Sequence, residues 1–135
     1  MFRIEVGVPS AEEFLSLRTS ADMGPRSLKG AKQGLGNELY CVLLKVEEND
    51  ELVGMGRVVG DGGTVFHICD MVVKPKWQKK GGGTVIMDAL MGFIKDQKVS
   101  DAYVNLIADV DGFYDKWGFK PTEPRAKGMY LKTKK

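Results

Sequence analysis

The sequence predicts an α/β fold in which helices pack against a central β-sheet. Three observations lead there. Apolar-rich runs of strand length recur at Phe2–Val8, Tyr40–Glu47, Leu52–Val59 and Thr64–Val73. The run Thr84–Gln97 carries Val85, Ile86, Met87, Ala89, Leu90, Met91, Phe93 and Ile94, a density expected of a helix lying well inside a sheet-based domain. Strand and helix segments also interleave along the chain, as α/β folds require. At 135 residues there is enough chain for one domain with a sizeable core and too little for two ordinary ones, so residues 1–135 are read as a single domain.

Taken in order, Phe2–Val8 alternates like a first strand. Ser10, with Glu13 three residues later, forms a capping box that opens a helix bearing Phe14, Leu15 and Leu17. Asp22–Asn37, broken by Gly24, Pro25, Gly30, Gly34 and Gly36, reads as a loop holding a short helix. Tyr40–Glu47 and Leu52–Val59 form a hairpin across Glu48-Asn49-Asp50-Glu51. Gly60-Asp61-Gly62-Gly63 is a turn, and Thr64–Val73 is a β-rich strand stopped by Pro75. After the long helix, Ala102–Ala108 is expected to be a strand, Val110–Trp117 a short helix and Lys127–Thr133 a last strand.

A hydrophobic content of 43%, a charged content of 28% and a net charge of +2 describe a soluble globular chain with no demand for nucleic acid or an anionic membrane. A basic stripe with interleaved aromatics, as nucleic-acid binding would need, is absent. No run approaches membrane-spanning length, and Met1–Val6 lacks the apolar core of a signal peptide. Cys41 and Cys69 sit in apolar runs without CxxC spacing, and one histidine gives no basis for a zinc site, so no metal is expected. The expected compartment is the reducing cytoplasm.

The stretch Trp77-Gln-Lys-Lys-Gly-Gly-Gly83 carries the functional signal. Glycines at 81, 82 and 83, between an apolar strand and a helix, let a bulky anion approach backbone N–H groups at a helix N-terminus. Lys74, Lys76, Lys79 and Lys80 place positive charge where a helix start by itself favours an anion. The loop lacks the Gly-Lys-Ser/Thr of a Walker A sequence, and Ile86 stands where a Rossmann fingerprint needs its third glycine.

The segment VVKPKWQKKGGGTVIMDAL resembles motif A of the GCN5-related N-acetyltransferases (GNAT), through Val73, Pro75, Trp77, Gln78, Gly81 and Gly83. Downstream, GFYDKWGFKP resembles the same family's Phe-Tyr-x-Lys-x-Gly-Phe segment through Phe113, Tyr114, Lys116, Gly118 and Phe119. The resemblance implies a central mixed, mostly antiparallel sheet with splayed central strands. It also implies acetyl-CoA as co-substrate, with its pyrophosphate on Gln78, Lys79, Lys80, Gly81, Gly82, Gly83 and Thr84. The backbone of Met71 and Val73 is expected to pair with the pantetheine arm, and an N–H at Met71 or Val72 to stabilise the developing oxyanion. Tyr114 matches the tyrosine that protonates the departing thiolate. Where many relatives carry an asparagine on the pantetheine, this chain has Asp109; Asn105 is the candidate to replace it, contacting the cofactor.

The general base is less defined. Asp70 and His67 are the nearest titratable groups on the same strand, and strict alternation places them on opposite faces. Asp70 is the candidate to orient the amine or activate a water, and the scarcity of bases tilts the reading towards an amine of low pKa. On the acceptor side, Arg26, Ser27, Lys29 and Lys32 of the irregular segment, with Arg57 and Tyr130, suit an acceptor bearing an anionic group. The expected partners are acetyl-CoA and an amine of a small molecule, amino acid or peptide, in a monomer or homodimer. A second reading is an acyl-CoA-binding sensor or regulatory subunit that has lost turnover.

Overall fold

The alternating segments are satisfied by a sheet in the order β1-β2-β3-β4-β5, formed by Phe2–Val6, Tyr40–Val46, Leu52–Gly60, Val65–Val73 and Tyr103–Asn105. Neighbouring strands run antiparallel except β4 and β5, which are parallel, so the sheet is mixed and mostly antiparallel. The structure is a computed structural model and describes residues 1–134. The chain forms two units, Met1–Asn105, which holds the sheet, and a second beginning at Leu106.

Helix α1 (Ala11–Ser20) starts at the expected capping box. The Ser10 hydroxyl accepts from the Glu13 N–H at 3.0 Å, while the Glu13 carboxylate accepts from the Ser10 N–H at 2.8 Å. Helix α2 (Leu28–Gly34) is the short helix of the irregular segment, and Ser27 is its cap, accepting from the Gly30 N–H at 2.9 Å. Helix α3 (Gly82–Asp96) follows β4 through a single 3₁₀ turn at Pro75–Trp77.

The pleat of β3 assigns the helices to faces. Odd residues Met55 and Arg57 look towards α1 and α2, where Phe14, Leu17, Ala31, Cys41, Leu43, Met55 and Val72 form one buried cluster. Even residues Gly54 and Gly56 look towards α3: a Cβ on Gly56 would lie 2.6 Å from Ile86 Cγ2 and 3.0 Å from Leu90 Cδ1. The second core layer is therefore Ile86, Met87 and Leu90 of α3 against the sheet, all fully buried. Tyr40 stacks on Phe93 at 4.4 Å and extends that layer to the end of β2.

Between β3 and β4 the register passes from Arg57↔Cys69 to Met55↔Val72, so Asp70 and Met71 together face Gly56. This is a β-bulge, and Asp70 adopts φ +54° within it. The expectation that His67 and Asp70 face opposite ways is thereby overturned. The extra residue resets the pleat, and Asp70 joins the face of Arg57, the face that alternation also gives His67.

Three expectations near the C-terminus are corrected. The strand over Ala102–Ala108 is confined to Tyr103–Asn105. Val110–Trp117 contains a 3₁₀ helix only at Phe113–Trp117, set between left-handed Gly112 and Gly118. Lys127–Thr133 forms no strand. Its Met129, Tyr130 and Leu131 are 84–88% exposed, and alternation cannot make a strand without a partner to take its ladder hydrogen bonds. No helix among the described residues is long and apolar enough to cross a membrane.

Candidate active site

The glycine loop turns through two left-handed residues, Lys79 at φ +63° and Gly81 at φ +87°. Gly81 is the N-cap of α3 and no side chain caps the helix there, while its first turn carries no acidic residue. Gly82 and Gly83, which the sequence places in the loop, form that first turn instead. Gly82 is buried, and a Cβ there would lie 2.7 Å from the Leu44 side chain. Gln78 anchors the loop to the strand it leaves, donating from Nε2 to the Val73 carbonyl at 2.8 Å. Trp77 packs edge-on against Phe2 of β1 at 5.9 Å. Lys79 and Lys80 are exposed beside this helix start. The result is a helix N-terminus with lysines beside it and no acidic residue in its first turn, the arrangement that attracts a phosphate.

The strand leading into the loop offers a second feature. The parallel β4–β5 ladder ends at His67↔Asn105, whereas β4 runs on to Val73. Beyond His67 that edge of β4 has no β5 partner, and within this stretch the bulge removes one residue from regular pairing with β3. The backbone of Met71, Val72 and Val73 lies there, with Val72 itself buried.

Asp70 is bound into an ion cluster. Its carboxylate accepts from Arg18 Nη1 at 2.7 Å and from Arg57 Nη1 at 2.9 Å, and Arg57 Nε donates to Glu38 at 2.9 Å. Arg18 also donates twice to the Gly24 carbonyl, and Arg57 donates to that of Gly34. Side-chain exposures of 4–13% make this a buried network joining α1, both ends of the irregular segment, β3 and β4. Burial and the nearby Arg26 lower the pKa of Arg18 despite Asp70. Burial also opposes the charge of Arg57, but hydrogen bonds to Asp70 and Glu38 outweigh it and raise its pKa. Both stay cationic, as guanidinium does at any working pH. The sequence did not mark Arg18 or Glu38, because their partners lie far along the chain.

The remaining acceptor-side residues are distributed differently. Arg26 is exposed, with Nη1 donating to the Pro25 carbonyl. Ser27 caps α2, and Tyr130 is 88% exposed. Asn105 accepts a 2.7 Å hydrogen bond on Oδ1 from Nδ1 of His67. Burial pushes the thiols of Cys41 and Cys69 up to about 12.

In the second unit, Tyr114 belongs to an aromatic group with Phe113 at 5.0 Å and Phe119 at 6.3 Å. Lys116 lies over the Phe113 and Trp117 rings. Burial, and then the carboxylate of Asp109, raise the pKa of the Tyr114 phenol. Asp109, the departure from the family's asparagine, thus favours the protonated phenol.

A β-bulge near the end of a strand whose neighbour stops short is thus followed by a glycine turn into a helix whose N-terminus no side chain caps. The acetyltransferase (GNAT) domain profile matches residues 25–132, and the chain belongs to that family. It is 33% identical over 107 residues to an uncharacterized N-acetyltransferase, ycf52, of Pyropia yezoensis, covering 78% of this chain and 62% of that protein. Against its namesake in Porphyra purpurea it is 32% identical over 108 residues with the same coverage. The chain thus spans under two thirds of the length of these curated relatives. A Staphylococcus aureus protein of unknown function, described as a probable acetyltransferase, superposes with TM-score 0.93 at 44% identity, over 98% of this chain and 100% of the other. A GNAT family acetyltransferase of Streptococcus pneumoniae superposes with TM-score 0.79 at 25% identity over 100% of both chains.

Proposed function

We propose that residues 1–135 act as one N-acetyltransferase domain that moves an acetyl group from acetyl-CoA directly to a primary amine of a small molecule, amino acid or peptide. The observation that carries this reading is the uncapped N-terminus of α3, opened by left-handed Gly81 beneath Lys79 and Lys80. The pyrophosphate sits on the N–H groups from Lys79 to Thr84, with Gln78 holding the loop in place. The pantetheine pairs with the edge of β4 at Met71 and Val73, and an N–H at the bulge, at Met71 or Val72, meets the oxyanion. Tyr114, kept protonated by its surroundings, gives its proton to the departing sulfur.

Asp70 and Arg57 serve this site through the ion cluster, which fixes the bulge and the segment before β2. Arg26, Lys29 and Lys32 are exposed cations on the acceptor side, suited to a carboxylate on the acceptor. Ser27 holds α2 in place behind it.

The test is thiol release from acetyl-CoA against a panel of amino acids, short peptides, polyamines and aminoglycosides. The two cysteines, with thiols at about 12, contribute little background. Turnover is expected for a few acceptors carrying an anionic group. Tyr114→Phe lowers turnover while retaining acetyl-CoA binding. Gly83→Glu abolishes binding, because its carboxylate occupies the anion site. An acidic residue in the first turn favours the helix itself, so that loss is not unfolding. Acetyl-CoA binding without turnover on any amine would make the chain an acyl-CoA sensor instead.

A further inference from the structure

We propose that two copies of this chain pair by exchanging their C-terminal segments, with Lys127–Thr133 of each lying as an added strand along the open edge of the other's β5. Each copy carries two deficits that match. β5 ends the sheet and has β4 on one side only. It stops at Asn105, although its strand-like sequence runs on to Ala108. Lys127–Thr133 alternates like a strand and pairs with none. The two strands that the sequence predicts and the structure leaves short or unformed are thus the two that lack a partner. Each has the length to serve the other.

The backbone of β5 is set for this. Tyr103 donates its N–H to the Thr64 carbonyl at 2.8 Å, so its backbone groups turn towards β4. Alternation then turns the N–H and C=O of Val104 to the open edge. An unpaired edge of this kind is a template for a further strand. The exposed apolar surface lies in the same two segments. Ile107, Met129, Tyr130 and Leu131, at 72–88%, are the four most exposed large hydrophobic side chains among the described residues. Apolar groups left so bare beside an open edge mark an interaction surface.

Charge complementarity points to a second copy as the occupant. Exposed Asp101 precedes β5 and exposed Asp109 and Asp111 follow it, whereas exposed Lys127 and Lys132 bracket Met129–Leu131. None of these makes a salt bridge among the described residues. In either strand direction a lysine comes to lie by a carboxylate, which favours the pairing. Each copy has one segment to give and one edge to fill, so a twofold pair leaves neither unmet, while a head-to-tail array leaves both at its ends. At ~3.3 Å per extended residue, the connection 106–126 is long enough to cross to a second copy.

Sedimentation of the full chain is expected to give twice its 14.9 kDa mass. The double substitution Tyr130→Pro with Leu131→Pro should return it to the mass of one chain. Successive residues of a strand point their N–H groups to opposite sides, so one of the two prolines always removes a bond to β5. Both positions are more than 80% exposed in the single chain, so the far-UV circular dichroism of the sheet should be retained. In a mixture of isotope-labelled and unlabelled wild type, isotope-filtered NOEs should connect residues 103–107 of one copy with 129–131 of the other. A monomeric wild type, a dimer that survives both prolines, or NOEs between these segments only within one copy overturns the exchange. None of these outcomes bears on acetyl transfer, which thiol release tests separately.

Discussion

At the scale of single residues, the most consequential side chain outside the glycine loop is Asp70. Its strand gives it φ +54°, a conformation that a non-glycine residue holds only where its surroundings insist. The surroundings here are two buried guanidiniums, one on each carboxylate oxygen. Removing one partner of a buried ion pair leaves the other charge desolvated and uncompensated. Asp70→Ala is therefore expected to cost roughly 3–5 kcal/mol, seen as a lower urea midpoint. Asp50, exposed in the β2–β3 turn and paired with Arg3, provides the contrast: Asp50→Ala should leave the midpoint almost unchanged. Equal effects of the two substitutions would show that the cluster is not the constraint proposed. This residue also marks a limit of sequence reading. Asp70 was visible as a titratable group on its strand, but the arginine of α1 that pairs with its carboxylate sits 52 positions away.

At the scale of elements, the approach of α3 to the sheet sets where its N-terminus, and thus the loop, comes to lie. Gly54 and Gly56 make that approach possible. A Cβ at Gly54 would meet the Val72 carbonyl oxygen at 2.6 Å, and one at Gly56 would meet Ile86, Leu90 and Met71 at 2.6–3.0 Å. Gly56→Ala should therefore push α3 outward and cost about 1–3 kcal/mol, as overpacking does. Gly92, on the same helix, has helical backbone, and a Cβ there would meet nothing within 4 Å. Gly92→Ala should raise stability by roughly 0.5–1 kcal/mol through helix propensity. Thermal melts of the two variants should move in opposite directions; a shared direction would contradict the packing described. The helix was legible beforehand from its apolar density, and α1 from Ser10 and Glu13, because local chemistry specifies both. The bulge was not, since it arises from pairing between β3 and β4 and changes no local pattern. The same distinction explains Lys127–Thr133, whose alternation is local but whose strand partner would have to be supplied by another segment.

At the scale of the whole molecule, stability is unevenly distributed. Every buried residue belongs to the unit Met1–Asn105, from Pro9 to Leu90, and none lies among the described residues from Leu106 onward. The second unit rests on partly exposed aromatics, Phe113, Tyr114, Trp117 and Phe119, and short 3₁₀ structure. Regions with few buried apolar contacts open locally at far lower free energy than a packed core. Amides of β2, β3 and β4 are thus expected to exchange with solvent only through global unfolding, with rates that climb steeply with urea. Amides from Leu106 onward should exchange through local opening, faster and with little response to low urea. Hydrogen exchange followed by mass spectrometry at several urea concentrations distinguishes the two regimes. Protection of the second unit equal to that of the sheet would mean that its aromatics supply more stabilisation than their burial indicates. The outcome bears on the proposed function because Tyr114, the proposed acid, lies in the unit expected to be less protected, while the loop proposed to take the pyrophosphate belongs to the unit Met1–Asn105. On that proposal, an acid on a readily opened segment and an anion site on a rigid one would let product leave without disturbing the strand and helix proposed to hold the cofactor. In that arrangement Tyr114→Phe lowers kcat and leaves the exchange of the sheet untouched.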